Sequence, residues 1–278
     1  MRVVETVAAL RAAGRRLPDP LGVVPTMGYL HEGHLSLIRR ASAECGATVV
    51  TLFVNPTQFG PNEDLARYPR DFERDRSLCQ REGVDVLFAP TADEVYPSGF
   101  GTYVEVDGLT RRWEGEHRPG HFRGVATVVA KLLLMTGADR AYFGEKDYQQ
   151  LQVVRRLARD LDIPVEIVGC PTVRQPDGLA LSSRNVYLAP EQRRRALSLN
   201  RGLRAAQVAY ADGERSGERL EALMLRELRE AGLTVDYAAV VDPDSLEPLD
   251  RVGARARALV AARLGPVRLI DNVPIPAE

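Results

Sequence analysis

Short apolar segments alternate with helical patterns along the first two-thirds of the 278-residue chain. The segment Ala47–Val54, ATVVTLFV, contains no charged residue, which is typical of a strand covered on both faces. Helices between such strands indicate crossover connections, and hence a parallel sheet with helices on both sides. The predicted strands are Leu21–Pro25, Ala47–Val54, Val84–Phe88, Asp139–Phe143 and Pro164–Gly169. The predicted helices are His34–Glu44, Asp71–Arg81, Phe122–Met135 and Asp147–Leu161.

The pattern changes after Val173, where Pro and Gly precede a region rich in Arg, Glu, Ala and Leu. Here we predict two helices and three strands: Pro190–Asp212, Glu214–Gly232, Val235–Val241, Ala256–Arg263 and Val267–Ile270. A three-residue turn, Leu264–Gly265–Pro266, joins the last two strands and indicates an antiparallel hairpin. We therefore predict an α/β protein with a parallel-sheet domain at residues 1–172 and a smaller α+β domain at residues 173–278.

The charge balance argues against a long nucleic-acid interface. The chain has 37 basic and 38 acidic residues, whereas a protein that covers many phosphates needs a basic excess on one face. Only Lys131 and Lys146 among the basic residues are lysines, and the four histidines all lie between His31 and His121. Because Arg is the default cation of this chain, the rare lysines and histidines are the first candidates for chemistry.

The cysteines predict a reducing compartment. Cys45, Cys79 and Cys170 are far apart and form no CxxC motif, so we expect free thiols instead of disulfides or a zinc site. The first twenty residues lack the apolar core of a signal peptide, and no apolar stretch is long enough to span a bilayer. A cytoplasmic protein without a membrane partner is expected.

The segment Pro25–His34, PTMGYLHEGH, lies where a predicted strand ends and a helix begins. His31 and His34 are three residues apart and therefore share one face of the first helical turn. A helix N-terminus presents backbone N–H groups to a phosphate, and the two imidazoles can donate hydrogen bonds during displacement at phosphorus. Two other interpretations stay open: capping or packing histidines, or a metal site. A zinc motif, however, needs two His residues four apart, and no third ligand is nearby.

Three further segments carry polar side chains: Phe53–Gly60 (FVNPTQFG), Gly144–Gln150 (GEKDYQQ) and Leu181–Asn185 (LSSRN). The first two follow predicted strands, so Asn55, Gln58 and Lys146 are expected at the carboxyl ends of strands, where α/β sheets bind ligands. The third lies in a loop, and its hydroxyls and Arg184 suit phosphate oxygens. Amides and cations without a carboxylate cluster favour a triphosphate and a small polar substrate.

These segments, together with YPR at residues 68–70, GEKDYQQL and DGLALSSRN, resemble in their order the pantoate–β-alanine ligase family, the pantothenate synthetases. This family lies within the HxGH nucleotidylyltransferase superfamily, and the resemblance runs from about Val23 to Leu188. It implies a Rossmann-like N-terminal domain that binds ATP and pantoate, a smaller C-terminal lid domain, and a homodimer. The implied reaction condenses pantoate with β-alanine through a pantoyl adenylate and releases AMP and pyrophosphate.

The resemblance also implies roles for individual residues. His31 and His34 would be the signature pair, with His34 as proton donor, and Lys146 would supply positive charge to the phosphates as a third catalytic residue. Gln58 would bind pantoate and place β-alanine, and Gln150 would bind pantoate. The implied ATP-binding residues are Met27, Gly28, Tyr29, Leu30, His31, Glu32, Gly33, His34, Gly144, Glu145, Lys146, Asp147, Val173, Leu181, Ser182, Ser183 and Arg184. Mg²⁺ would be held through the ATP phosphates, without a protein metal site.

Several other polar residues receive mainly structural interpretations. We expect Gly60–Pro69 to act as a gate that keeps water from an adenylate, with an ordinary surface loop as the alternative. Asp75 is interpreted as a solvated charge, with a metal ligand as the alternative. Lys131 is interpreted as a structural ion pair or an aliphatic stem on an apolar helix. The loop that contains His117, His121 and Arg123 is interpreted as structural, with phosphate binding by Arg123 as the alternative.

Two further functional hypotheses remain at this point. A nucleotidylyltransferase would transfer AMP to a phosphorylated cofactor precursor, but such enzymes are usually shorter and do not need both FVNPTQFG and GEKDYQQL. A non-catalytic nucleotide sensor would show no turnover, and the near-zero net charge disfavours one that binds RNA.

Overall fold

The computed structural model describes residues 1–61 and 63–277. The chain divides into two compact units. The first unit comprises Met1–Glu145 and Gln149–Pro171, and the second comprises Lys146–Tyr148 and the chain from Thr172 onward. Lys146–Tyr148 therefore groups with the second unit although both flanking segments belong to the first. The functions assigned above to the two domains stay predictions.

A parallel sheet forms the centre of the first unit. Its strands within the described residues are β1 (Arg2–Val4), β2 (Leu21–Thr26), β3 (Ala47–Leu52), β4 (Val86–Phe88), β5 (Arg140–Gly144) and β6 (Glu166–Cys170). Their order is β1-β4-β3-β2-β5-β6, and all neighbours pair in parallel. The order reverses direction between β2 and β5, which makes this pair the topological switch point of the sheet. The predicted parallel α/β architecture is confirmed.

The helices of the first unit connect these strands. They are α1 (Val7–Gly14), α2 (Glu32–Glu44), α3 (Phe72–Arg81), α4 (Ala92–Val95), α5 (Glu114–His117), α6 (His121–Thr136) and α7 (Tyr148–Asp160), the last beginning with a residue of the second unit. The sequence pattern predicts neither β1 nor α1. β1 is only three residues long and exists because it pairs with β4, and α1 begins where the Thr6 side chain accepts a hydrogen bond from the Ala9 N–H.

The second unit combines helices with an antiparallel sheet. Its described elements are α8 (Pro190–Ala196), α9 (Ser198–Ala211), α10 (Gly217–Glu230), β7 (Thr234–Val241), β8 (Ala256–Leu264) and β9 (Val267–Ile275). β8 and β9 pair along their full length, which confirms the predicted hairpin. The single predicted helix at Pro190–Asp212 is wrong, because the helix is divided at Leu197. β9 continues past the predicted end at Ile270, since Asp271 and Asn272 are polar but paired with β8 and buried.

No helix in the described part of the chain is long and apolar enough to cross a membrane. The three cysteines are free thiols, as predicted, and Cys79 and Cys170 are buried. Burial raises the pKa of the Cys79 thiol to about 12.

Candidate active site

Three predicted segments begin at one edge of the parallel sheet. β3 and β5 both pair in parallel with β2, so the carboxyl ends of these three strands lie side by side. The segment that contains Met27–His34 follows β2, the segment that contains Gln58 follows β3, and Gly144 ends β5. This edge adjoins the switch point between β2 and β5, where open α/β sheets bind ligands.

Helix α2 begins with a capping box made of two histidines. Nδ1 of His31 accepts a hydrogen bond from the Gly33 N–H at 3.2 Å, and Nδ1 of His34 accepts one from the His31 N–H at 3.3 Å. The ring centroids are 4.1 Å apart. Because a backbone N–H only donates, the neutral rings carry their protons on Nε2. The capping and phosphate-binding interpretations are therefore compatible: one nitrogen of each ring caps the helix and the other is a donor.

The turn before α2 is held by Asp75 of α3. Gly28 and Tyr29 have φ angles of +82° and +50°, in the left-handed region. Oδ2 of Asp75 accepts the Tyr29 N–H at 2.6 Å, and Oδ1 accepts the Leu30 N–H at 2.8 Å. Asp75 is only 2% exposed, so its interpretation as a solvated charge was wrong. Asp75 instead holds the turn before α2. The sequence does not reveal this role, because other charged residues surround Asp75 in α3.

Burial raises the pKa of the Asp75 carboxyl, and the hydrogen bonds from Leu30 and Tyr29 partly oppose this shift. Arg74 contributes weakly, with Nη1 3.6 Å from Oδ1 of Asp75. A side chain at Gly28 would bring a Cβ within 3.0 Å of Oδ2 in addition to its unfavourable φ angle. Gly28 and Asp75 together therefore fix the conformation of the turn that leads into α2.

Replacing Asp75 tests this role. In Asp75→Asn an N–H₂ group replaces one acceptor and leaves a backbone N–H without its partner, which costs about 1–3 kcal/mol for a buried group. We expect urea denaturation to show this loss, together with lower turnover. Glu73→Gln on the same helix, at an exposed side chain, is the matched control. Equal stability and activity in the two variants would contradict the role of Asp75.

A network of amides orients Gln58, which is buried in the 3₁₀ turn Pro56–Gln58. Its Oε1 accepts a hydrogen bond from Nδ2 of Asn55 at 3.0 Å, and its Nε2 lies 3.3 Å from Sδ of Met27. Oδ1 of Asn55 accepts one from the Tyr96 hydroxyl at 2.8 Å. The amide of Gln58 therefore has a defined orientation, and the structure brings Met27 and Gln58, two predicted site residues, into contact.

Helix α6 packs very closely against this turn. A Cβ on Gly124 would lie 2.3 Å from the carbonyl oxygen of Thr57, so only glycine fits there. The Gly124 carbonyl also accepts a hydrogen bond from Nδ2 of Asn55 at 3.2 Å. The position of α6 thus fixes the backbone from which Gln58 projects.

The first residue of α6, His121, holds the backbone of Gln58. Its Nδ1 is 2.9 Å from the Gln58 carbonyl oxygen, and its Nε2 is 3.0 Å from Nη1 of Arg118. Since a guanidinium only donates, Nε2 accepts and Nδ1 donates to the carbonyl. Burial, followed by the positive charge of Arg118, lowers the pKa of His121 to about 4. His121 is therefore a neutral structural residue.

Arg118 links this histidine to the predicted gate, Gly60–Pro69. Its guanidinium forms a bidentate ion pair with Glu63, at 2.6 and 2.7 Å. Tyr68 is buried at the other end of the segment, with its ring edge-on to Phe59. Asn62 of this segment lies outside the described residues. The function of the segment as a gate stays a prediction.

The depressed pKa of His121 implies a pH dependence of stability. Between about pH 6.5 and pH 4 the unfolded chain binds a proton that the folded chain does not, so the contribution of His121 is present above pH 6.5 and lost as the pH falls. Arg118, Glu63 and Glu114 are the charged groups that act on it. We expect His121→Asn to reduce the loss of unfolding free energy between pH 7 and pH 5 by up to about 2 kcal/mol.

The measurement is chemical denaturation at several pH values. His117→Asn, at an exposed histidine four residues earlier, is the control and should keep the pH dependence of the unmodified protein. The same pH dependence in both variants would refute the neutral state of His121.

The other conspicuous cations of the first unit contact aromatic rings. Nζ of Lys131 lies 4.6 Å from the ring centroid of Phe100, so this lysine makes a cation–π contact. The Arg123 guanidinium stacks on Tyr103 at 3.9 Å and pairs with Glu105 at 3.1 Å. Both observations favour the structural interpretation of these residues.

Some predicted site residues can contribute only in restricted ways. Leu30 is fully buried, so only its backbone can meet a ligand. Glu32 is exposed, and its carboxylate pairs with Nη1 of Arg39 at 2.5 Å. Gln149 is buried and bonded to backbone groups of residues 109, 112 and 114, whereas the adjacent Gln150 is half-buried. The amide of Gln150 is thus the more accessible of the two.

The second unit contains the remaining predicted residues. The Leu181 N–H donates to the Val173 carbonyl oxygen at 3.0 Å, which joins these two positions. Ser182 accepts a hydrogen bond from the Arg184 N–H at 3.3 Å and caps a 3₁₀ turn. Nζ of Lys146 lies 3.7 Å from Oδ1 of Asp147. Among the described residues, no three His, Cys, Asp or Glu side chains cluster as they would around a metal ion.

Comparisons with known proteins identify the relatives of this chain. A family model described as pantoate–β-alanine ligase matches residues 2–274. A pantothenate synthetase from a Roseiflexus species is 56% identical over the full length of both chains. The crystal structure of pantothenate synthetase from Thermus thermophilus has 56% identity and a TM-score of 0.95, and covers 98% of this chain and 99% of its own.

A more distant relative has been crystallised in complex with ligands. It is the pantoate–β-alanine ligase from Francisella tularensis, complexed with beta-gamma ATP and β-alanine, with 36% identity and a TM-score of 0.81. It covers 98% of this chain and 97% of its own. The agreement in sequence and fold extends over both units, beyond the segments that carried the resemblance. The chain belongs to the pantoate–β-alanine ligase family.

Proposed function

We propose that this protein condenses pantoate with β-alanine at the expense of ATP and produces pantothenate, AMP and pyrophosphate. The observation that carries the proposal is the histidine capping box of α2, at the sheet edge where the oriented amide of Gln58 also lies. Paired imidazole donors suit a phosphate, and a fixed amide suits a small polar acid. Membership of the pantoate–β-alanine ligase family supports the choice of substrates.

The reaction has two steps. A pantoate carboxylate oxygen attacks the α-phosphorus of ATP, the bond between that phosphorus and the bridging oxygen breaks, and pyrophosphate leaves. The β-alanine amine then attacks the acyl carbon of the pantoyl adenylate, the bond from that carbon to the phosphate oxygen breaks, AMP leaves, and the nitrogen loses a proton. Both steps depend on positioning and charge stabilisation, and neither needs a covalent enzyme nucleophile.

His31 and His34 act through Nε2. With both Nδ1 atoms engaged by backbone N–H groups, the Nε2–H of each neutral ring is the donor for phosphate oxygens, where charge increases during the first step. We assign His34 as the proton donor in the hydrogen bond to the leaving pyrophosphate, and its neutral ring keeps this proton. The N–H groups of the α2 N-terminus add partial positive charge. We assign the backbone of residues 27–33 to contacts with the nucleotide.

Further residues of the chain are assigned to the nucleotide. We assign Lys146 to the phosphates as the third catalytic residue, with Gly144, Glu145 and Asp147 as its neighbours along the chain. Val173 and the segment Leu181–Arg184 complete the ATP-binding set, with Ser and Arg donors for phosphate oxygens. ATP enters as its magnesium complex, and the metal belongs to the substrate, because its ligands are phosphate oxygens and water.

Gln58 and Gln150 recognise pantoate. The hydrogen bond from Asn55 occupies one side of the Gln58 carbonyl oxygen and directs Nε2 toward Met27, so this amide N–H₂ is the group available to a hydroxy acid. We also assign Gln58 to the placement of β-alanine. We further propose that the protein works in the cytoplasm as a homodimer, without nucleic-acid or membrane partners. Free thiols support the reducing compartment, and the balanced charges argue against a nucleic-acid partner.

A product assay tests the reaction. With ATP, pantoate and β-alanine present, we expect AMP and pyrophosphate in equal amounts, and no AMP when pantoate is omitted. Exchange of labelled pyrophosphate into ATP should require pantoate but not β-alanine. ADP as the product would exclude the adenylate route, and AMP transfer to a phosphorylated precursor would favour a nucleotidylyltransferase.

Lys146→Ala tests the phosphate role of the rare lysine. A charge-assisted contact that strengthens in the transition state contributes a few kcal/mol, so we expect turnover to fall by roughly 10²-fold or more. Lys131→Ala removes the other lysine, which contacts aromatic rings, and should keep turnover. Unchanged kinetics in a folded Lys146→Ala protein would show that the assignment is wrong.

Gln58→Ala tests substrate recognition. Calorimetry should show weaker pantoate binding and unchanged ATP binding, because the lost amide faces the acid and not the nucleotide. Gln80→Ala, at an exposed glutamine on α3, is the control and should bind both ligands normally. Weakened ATP binding with normal pantoate binding would reverse the assignment.

A further inference from the structure

Two adjacent buried polar residues in the last strand have no part in the reaction proposed above. Asp271 and Asn272 of β9 are 4% and 3% exposed. Burying such groups costs free energy unless hydrogen bonds replace those to water, so their partners show what they stabilise. Side chains of neighbouring strand residues project to opposite faces, and these two contact different segments of the second unit.

Asn272 holds the backbone of Lys146. Its Nδ2 donates to the Lys146 carbonyl oxygen at 2.8 Å, across 126 positions of sequence. Its Oδ1 accepts a hydrogen bond from Nε of the buried Arg257 on β8, at 2.7 Å. Both ends of the amide are engaged, so its orientation is fixed, and the Lys146 carbonyl meets a rigid donor.

Arg257 secures the same short segment a second time. Its guanidinium lies 4.0 Å over the ring of Tyr148, and the Tyr148 hydroxyl donates to the Pro243 carbonyl oxygen at 3.1 Å. Lys146–Tyr148 is thus held at both of its ends by residues of the second unit. These contacts explain why Lys146 and Asp147, which precede α7, and Tyr148, its first residue, group with that unit.

Asp271 holds the segment that leads to LSSRN. Its carboxylate forms a bidentate ion pair with Arg174, at 2.6 and 2.9 Å. Arg174 also donates to the Gly178 carbonyl oxygen at 3.1 Å and bridges in antiparallel fashion to Ala180. The hairpin that joins Val173 to Leu181 is therefore anchored through Asp271.

We infer that Asp271 and Asn272 are positioning residues. They hold Lys146 and the Val173–Arg184 segment in the positions in which these bind the nucleotide. The inference rests on the proposed ATP-binding roles of these two segments. One strand fixes both, so the backbone of Lys146 and the hairpin that leads to LSSRN are held by two neighbouring residues. A displacement of about 1 Å in a positioned group can reduce a rate by 10²-fold, so the loss of these anchoring contacts has a large effect on turnover.

Asn272→Ala tests the part that concerns Lys146. We expect turnover and pantoate-dependent pyrophosphate exchange to fall by about 10- to 100-fold, with pantoate affinity by calorimetry unchanged. The control is Arg268→Gln on the same strand, which removes a charge pair with Asp236 of β7 at 2.6 Å. It should lower stability but keep turnover.

The decisive readout is the double variant Lys146→Ala/Asn272→Ala. If Asn272 acts through Lys146, the second substitution reduces turnover by less than twofold in the Lys146→Ala background. Should Asn272→Ala fail to fold, Asn272→Asp keeps the acceptor for Arg257 and replaces the donor to Lys146 with a charged acceptor, with the same expected result.

Three outcomes overturn the inference in distinguishable ways. The inference is overturned if the reductions of turnover in the two single variants multiply in the double variant. It is also overturned if Asn272→Ala behaves like Arg268→Gln. In both cases the proposed function stands. Normal turnover in Lys146→Ala overturns the proposed role of Lys146 and, with it, the inference about Asp271 and Asn272. A defect in Asn272→Ala that disappears in the Lys146→Ala background supports it.

Discussion

The parallel pairing of β2 with both β3 and β5 is the constraint on which the candidate site depends. Parallel strands end at the same edge, so segments that follow residues 26, 52 and 144 begin next to one another despite their separation in sequence. Local devices then refine each segment. Asp75 sets the turn into α2, and His121 with Gly124 fixes the backbone of Gln58.

Much of this architecture was predictable because it depends on local patterns. Apolar strands, helical periods and the turn at Gly265 identify the parallel sheet and the hairpin, and the order of the motifs indicates the family. Asp75 and Asn272 could not be found in this way, because their partners are backbone groups of distant segments, which leave no sequence signal. The strand β1 was missed for a related reason, since its pairing partner defines it.

The histidines show how surroundings give one residue type two tautomers. His31 and His34 accept backbone hydrogen bonds at Nδ1 and therefore carry the proton on Nε2. His121 has the opposite tautomer, because Arg118 donates to its Nε2 and the Gln58 carbonyl accepts from Nδ1. Scarcity in the sequence identified all three as noteworthy, but only their hydrogen-bond partners distinguish the two tautomers.

The grouping of Lys146–Tyr148 with the second unit has a topological consequence. The chain passes between the units after residues 145, 148 and 171, so no single cut of the polypeptide separates them. A fragment that starts at residue 172 would lack the segment that Asn272 and Arg257 hold. The contact between Lys146 and Asn272 also closes a very long loop, and contacts of such high sequence separation slow folding. The second unit is therefore incomplete until residue 272 has been synthesised.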